Sequence, residues 1–224
     1  MTEWSAVVFD VDGTLLNTSE GVLSSVRYTI EAHGLAPLSD EELRRFIGPP
    51  IQDSFARVYG LSGDILQELA TTFRDRYKGD DLFRAVPYDG IFEVFDELKR
   101  RGIPIAVATY KREDYAKRIM HHFGFDRYTD IIYGADHENR LKKADIIRKC
   151  LTSAGVAPPA DAVMVGDSDN DAVGAQNIGL KFLGVTYGFG FRKKEEILCY
   201  EHAVGCAASS AELIPYLTGQ QEVS

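Results

Sequence analysis

Asp10-Val11-Asp12-Gly13-Thr14 sets two carboxylates two residues apart, directly after the apolar run Ala6–Phe9. A second acidic string, Gly166-Asp167-Ser168-Asp169-Asn170-Asp171, follows the apolar run Ala162–Val165. Residues i and i+2 of an extended chain point the same way, so Asp10 and Asp12 address one spot. Gathered in one crevice, Asp10, Asp12, Asp167 and Asp171 would repel one another unless a cation sat among them. The donors are hard oxygens with no His or Cys close by in sequence, a set that suits Mg²⁺ better than zinc. One carboxylate can then attack phosphorus while its neighbour exchanges protons with the leaving oxygen and with water. Gly13 lets the backbone turn away and leaves room for a phosphate. Each string alone also reads as a polar turn; their joint position after apolar strands is what points to chemistry.

The elements that position these residues follow from the apolar pattern. Strand–helix alternation runs from Pro87 onward: helix Gly90–Arg101, strand Ile103–Ala108 ending at Thr109, a helix through Tyr115–His122, and a short strand near Ile131–Tyr133. Helix Lys142–Ser153, strand Ala162–Val165, a helix near Asn170–Ile178, strand Leu180–Val185 and helix Ala211–Leu217 complete the series. Alternating βα units predict an α/β fold with a Rossmann-like parallel sheet and helices on both faces. Ligands of such sheets bind outside the carboxyl ends of the strands, where both acidic strings and Thr109 fall. From Thr18 to about Lys78 the pattern is helical throughout, broken by Gly48-Pro49-Pro50. That block is too long for a loop and predicts an inserted all-helical cap over residues 17–84, with the catalytic core formed by 1–16 and 85–224.

Composition narrows the classes. The chain has 224 residues, 45% of them hydrophobic, and a formal net charge of −9. That charge disfavours nucleic acid as a partner, and no block of Lys and Arg makes a local exception. It does not exclude a small phosphorylated substrate, because a bound cation reverses the local sign of a pocket. Cys150, Cys199 and Cys206 are scattered and odd in number, as in a reducing compartment. Ala6–Phe9 is too short for a signal peptide or a membrane span. A cytoplasmic protein with no membrane partner is expected.

Taken in order, these motifs resemble the haloacid dehalogenase superfamily, in its phosphatase branch with a helical cap. The likeness rests on Val7-Val8-Phe9-Asp10-Val11-Asp12-Gly13-Thr14-Leu15, on Val107-Ala108-Thr109, on a Lys near 143, and on Val165-Gly166-Asp167 with Asp171 four residues on. It extends to phosphoglycolate phosphatases and to a related set of 5′-nucleotidases, whose caps carry a segment like Ile47–Phe55. The resemblance implies Asp10 as nucleophile, forming an aspartyl-phosphate, and Asp12 as general acid and base. It implies Mg²⁺ held by Asp10, the backbone carbonyl of Asp12, and Asp167, with Asp171 orienting the Lys or a metal-bound water. Gly13, Thr109 and the Lys would bind the phosphoryl group. Of Lys142 and Lys143, the order Lys, small residue, acid, two apolars found in related proteins selects Lys143. Tyr110 and Arg112 depart from the Ser or Asn and the Pro more usual beside Thr109. Tyr187-Gly188-Phe189-Gly190-Phe191 reads as a loop after the strand Leu180–Val185, with a counterpart in relatives.

Rival readings remain. A phospho-accepting receiver module combines Asp, Thr, Lys and Mg²⁺, but is half this length and has no cap. An inactive binding module on this scaffold is disfavoured because every motif residue is present. A phosphomutase with the same cap stays open and would have to keep water away from the aspartyl-phosphate. Dehalogenation would dispense with the second acid of the Asp-x-Asp pair. For the substrate, Arg44, Arg45 and Arg57 of the cap are candidates to meet a carboxylate, as in phosphoglycolate. Phe46, Phe55 and Tyr59 are candidates to receive the base of a nucleoside monophosphate.

Overall fold

In a computed structural model, residues 4–136, 140–157 and 161–219 are described. The chain divides into two compact units, Met1–Leu16 with Pro87–Ser224, and Asn17–Val86.

The larger unit is built on β1 (Ala6–Phe9), β4 (Ile105–Arg112), β5 (Ile132–Ala135), β6 (Ala162–Gly166), β7 (Lys181–Val185) and β8 (Ala203–Ala207). They form one sheet in the order β5-β4-β1-β6-β7-β8, with every pairing parallel. A parallel sheet is buried on both faces, which is why β1 and β6 are continuous apolar runs. Successive side chains alternate in direction. Val8 joins Ile146, Ile147 and Cys150 of α7 (Lys143–Ser153) and Ala172 of α8 (Asp169–Gln176) in one core. Phe9, on the opposite face, packs on Phe95 of α5 (Ile91–Arg100) with ring centroids 4.9 Å apart. The remaining helices of this unit are α6 (Glu113–His122), α9 (Lys194–Leu198) and α10 (Leu213–Thr218).

Two elements differ from the sequence reading. β4 runs on through Thr109 to Arg112, because its outer end pairs with β5 up to Arg112↔Ala135 across an irregularity. β8 is absent from the sequence reading: Ala-Val-Gly-Cys-Ala is small and only partly buried, and its pairing with β7 makes it a strand.

The smaller unit contains α1 (Ser19–Ala32), α2 (Asp40–Arg44), α3 (Ile51–Tyr59) and α4 (Ile65–Tyr77). Short strands β2 (Leu16–Asn17) and β3 (Val86–Pro87) pair where the chain leaves and re-enters the larger unit. Ser39 and Glu42 form a reciprocal capping box at α2. Gly48, at φ +100°, turns the chain before Pro50 opens α3. Asp81 is buried here and held by Ser25, Arg76 and Arg84, so its charge is compensated within the unit.

Among the described residues, no helix is long and apolar enough to cross a membrane.

Candidate active site

Sheet order explains how residues far apart in sequence meet. β1 is central, flanked by β4 and β6, so their carboxyl ends lie side by side. The chain leaves β1 toward β4 and β5 and returns to β6 on the other side, making the switch point at which open α/β sheets bind ligands. Asp10 follows β1 and donates its backbone N–H to Val165 O of β6 at 3.0 Å. Asp167 follows β6, and Thr109 lies in β4 two residues beyond the partner of Phe9.

Asp10, Thr109, Lys143, Asp167 and Asp171 are all buried. Lys143 Nζ lies 2.5 Å from Asp10 Oδ1 and 2.7 Å from Asp171 Oδ1. Lys142 is exposed; its backbone N–H instead donates to Asp145 Oδ2 at the start of α7. The structure thus brings Lys143, and not Lys142, to the carboxylates. Tyr110 meets Lys143 through the backbone: the Lys143 N–H donates to the phenol oxygen at 2.9 Å. The bulky ring at this position therefore secures the first turn of α7, whose leading N–H groups have no partner within the helix.

Asp171 Oδ2 accepts from Ser168 Oγ at 2.7 Å and from the Ser168 N–H at 3.2 Å, an N-terminal cap of α8 that leaves Oδ1 to Lys143. Asp167 Oδ2 accepts two backbone N–H groups, Phe189 at 2.6 Å and Gly190 at 3.0 Å. Gly13, at φ +83°, passes so close that a Cβ there would lie 2.1 Å from Asp167 Oδ2, so no other residue fits.

Asp12 is placed differently. Its Oδ1 lies 3.0 Å from Lys111 Nζ, both side chains being nearly buried. The Lys111 N–H in turn donates to Thr109 Oγ1 at 3.1 Å. Sequence reasoning gave Lys111 no role. Its signal was the resemblance: Lys111 keeps the Lys usual two residues after Thr109, between the departures at Tyr110 and Arg112.

Among the described residues, Asp10, Asp167 and Asp171 each offer an oxygen within 4.8 Å of the others. Burial pushes the Asp10 carboxyl up to about 8, with Lys143 opposing and the neighbouring carboxylates adding to the rise. Burial, and then Asp171, push Asp167 up to about 7 against the pull of the Phe189 and Gly190 N–H groups. Were Asp10, Asp12, Asp167 and Asp171 all ionised, Lys111 and Lys143 would leave two negative charges uncompensated. A hard divalent cation supplies that balance, and an oxygen-only donor set suits Mg²⁺.

This gives a stability prediction. Both carboxyls take up protons above the ordinary 3.8, so from about pH 4 to about 8 these two groups hold more protons in the folded chain than in the unfolded one. Metal-free protein should therefore lose stability as pH rises through that window. A cation that binds the ionised carboxylates of the folded state should restore most at its alkaline end. Melting curves at about pH 5.5 and about pH 8 should show a larger Mg²⁺-induced rise in Tm at the higher pH. Equal rises would contradict the assignment.

The chain as a whole is similar to known proteins. Residues 7–185 match the family model described as haloacid dehalogenase-like hydrolase. The chain is 34% identical over 206 residues to a 5′-nucleotidase of Pseudomonas aeruginosa, covering 92% of each chain. It is 34% identical over 188 residues to a phosphoglycolate phosphatase of Agrobacterium fabrum, covering 81% of this chain and 80% of that one. A crystal structure of a "predicted phosphatase" from Clostridium acetobutylicum superposes with a TM-score of 0.89 at 33% identity, over 96% of this chain and 99% of that one. With the motifs in order along one parallel sheet and a match spanning most of its length, the chain belongs to the haloacid dehalogenase-like hydrolase family, on its phosphatase side.

Proposed function

We propose that the protein hydrolyses phosphate monoesters of small organic molecules through an aspartyl-phosphate on Asp10. The observation that carries this reading is the buried Asp10 carboxylate, at the end of the central strand, within 2.5 Å of Lys143 Nζ and grouped with Asp167 and Asp171. Asp10 attacks phosphorus as the bond to the leaving oxygen breaks, and Asp12 gives that oxygen its proton. Water then attacks the same phosphorus, Asp12 takes its proton, and Asp10 and inorganic phosphate are released. Lys111 holds the Asp12 carboxylate in place between these steps. Lys143, the Thr109 hydroxyl and the Gly13 backbone receive the phosphoryl oxygens, and Asp171 orients Lys143. Asp10, Asp167 and the Asp12 carbonyl would hold Mg²⁺, with Asp171 adjoining them. When bound, the cation neutralises charge on phosphoryl oxygens and keeps Asp10 ionised.

The leaving group is the finer question. Similarity to a 5′-nucleotidase favours a nucleoside monophosphate, and similarity to a phosphoglycolate phosphatase a small carboxylated ester. The helical unit favours the second. Phe46 and Phe55 are buried in its core, edge to face at 4.9 Å, and Tyr59 stacks on Phe55 and donates its hydroxyl to Ala36 O. Two rings that are candidates for a nucleobase are thus occupied, whereas Arg44, Arg45 and Arg57 are exposed. Small carboxylated or sugar phosphates are the proposed class.

A panel of phosphoglycolate, sugar phosphates, nucleoside monophosphates, pyrophosphate and a phosphoprotein, compared by kcat/KM with Mg²⁺ present, tests both levels. The small esters are expected to lead and the phosphoprotein to be poor. A hundredfold preference for a nucleoside monophosphate would overturn the substrate class alone, and no turnover of any ester would overturn the reaction.

A further inference from the structure

The loop after β7 is built around Asp167. Tyr187 donates its hydroxyl to Thr14 O at 3.1 Å, and the Phe191 N–H donates to Asp167 O at 2.7 Å. Between these anchors the backbone runs too close for side chains. A Cβ on Gly188 would lie 2.3 Å from Gly13 O and 2.4 Å from Asp167 Oδ2, and one on Gly190 would lie 2.4 Å from Asp167 O. The Gly-x-Gly spacing is thus a steric requirement of approach to the acidic strings.

The same loop is gripped from its other side. Arg192 Nη1 donates to Gly188 O at 3.0 Å, and Arg192 Nη2 donates to Phe189 O at 3.2 Å. Gly188 O belongs to the peptide group that carries the Phe189 N–H, and Phe189 O to the one that carries the Gly190 N–H. These are the two N–H groups that Asp167 Oδ2 accepts. Two peptide groups therefore stand in parallel between one guanidinium and one carboxylate oxygen. A cation on each carbonyl polarises the peptide and strengthens its N–H as a donor, as linked hydrogen bonds do generally. The planar fork of Arg spans two carbonyls at once, which a Lys ammonium on a flexible stem does not.

We propose that Arg192 is a positioning residue for the metal site, fixing and polarising the two peptide groups that orient Asp167. The inference rests on the reading of Asp167 as a cation ligand. Arg192 acts on Asp167 through the Phe189 and Gly190 N–H groups. Residues that orient a ligand in this way typically set metal affinity by about 10–100-fold.

Calorimetric titration of the full chain with Mg²⁺, without substrate, tests it. Arg192→Ala should raise the Mg²⁺ Kd about tenfold. Its kcat at saturating Mg²⁺ should return to within about threefold of wild type, because the reacting groups are intact. Arg192→Lys should fall between the two, and should the Ala variant melt too low to titrate, the Lys variant carries the same readout. The side chain is exposed, so Tm should change little. A Kd within twofold of wild type in both variants, or a wild type that binds no Mg²⁺, would overturn the proposal. A shifted Kd in a protein that hydrolyses no ester would leave this inference standing and sink the proposed reaction.

Discussion

Asp10→Asn is expected to keep its fold and lose about a thousandfold or more of its turnover. An amide is nearly isosteric with the carboxylate but carries no charge and is a poor nucleophile toward phosphorus. The fold should tolerate the exchange well. Asp10 is crowded by Asp12, Asp167 and Asp171, and burial already pushes its carboxyl up to about 8. Losing one charge from that cluster relieves repulsion, and Lys143 keeps Asp171 at 2.7 Å. The melting temperature of the metal-free variant should therefore equal or exceed that of wild type. Steady-state rates on a small phosphate ester, taken with a melting curve, separate the two effects. An Asn variant that retained a tenth of wild-type kcat would rule out attack by Asp10.

The second large effect is expected at Lys143. Its ammonium stands between Asp10 and Asp171, and the repulsion between an attacking carboxylate and a phosphate dianion must be offset as the transition state forms. Lys143→Met should cost about a thousandfold or more in kcat/KM, while Lys142→Met, at an exposed position, should change it by less than about twofold. Stability should fall as well, because removing one partner of a buried ion pair costs about 3–5 kcal/mol when the other stays charged. Without the opposing ammonium, burial pushes the Asp10 carboxyl further up, and its protonation absorbs part of that cost, so the loss should be smaller in acid. Arg is no substitute here: the Lys143 stem runs beside Gly174, where even a Cβ would lie 2.8 Å from Lys143 Cγ. Equal losses from the two Met variants would move the phosphate-binding ammonium elsewhere.

What could be read from the sequence alone was local. The run Ala6–Phe9 followed by Asp10-Val11-Asp12-Gly13-Thr14 announces a buried strand and a tight acidic turn within nine residues. The apolar run Ala162–Val165 and its acidic string do the same for β6, and the alternation of such runs with amphipathic helices implies the parallel sheet. The helical insertion showed itself through its period and the Gly48-Pro49-Pro50 break. Each of these signals depends on neighbours a few positions apart, where sidedness follows from a period of 2 or 3.6 residues.

Tertiary structure decided the rest, wherever the partner is distant or the side chain is chosen by packing. The resemblance selected Lys143 over Lys142, but two adjacent lysines do not by themselves reveal how α7 sits on the sheet, and only that rotation carries Lys143 to Asp10 and Asp171. Lys111 meets Asp12 because β4 lies beside β1 in the register Phe9↔Val107, a pairing across about a hundred residues. Phe46 and Phe55 could line a pocket or fill a core, and only the packing of short helices makes them core. β8 has too little apolar character to declare itself and becomes a strand by pairing with β7. Arg192 looks like one more surface charge until the folded loop sets its guanidinium behind the two peptides that hold Asp167, because hydrogen bonds to main-chain carbonyls carry no sequence signature.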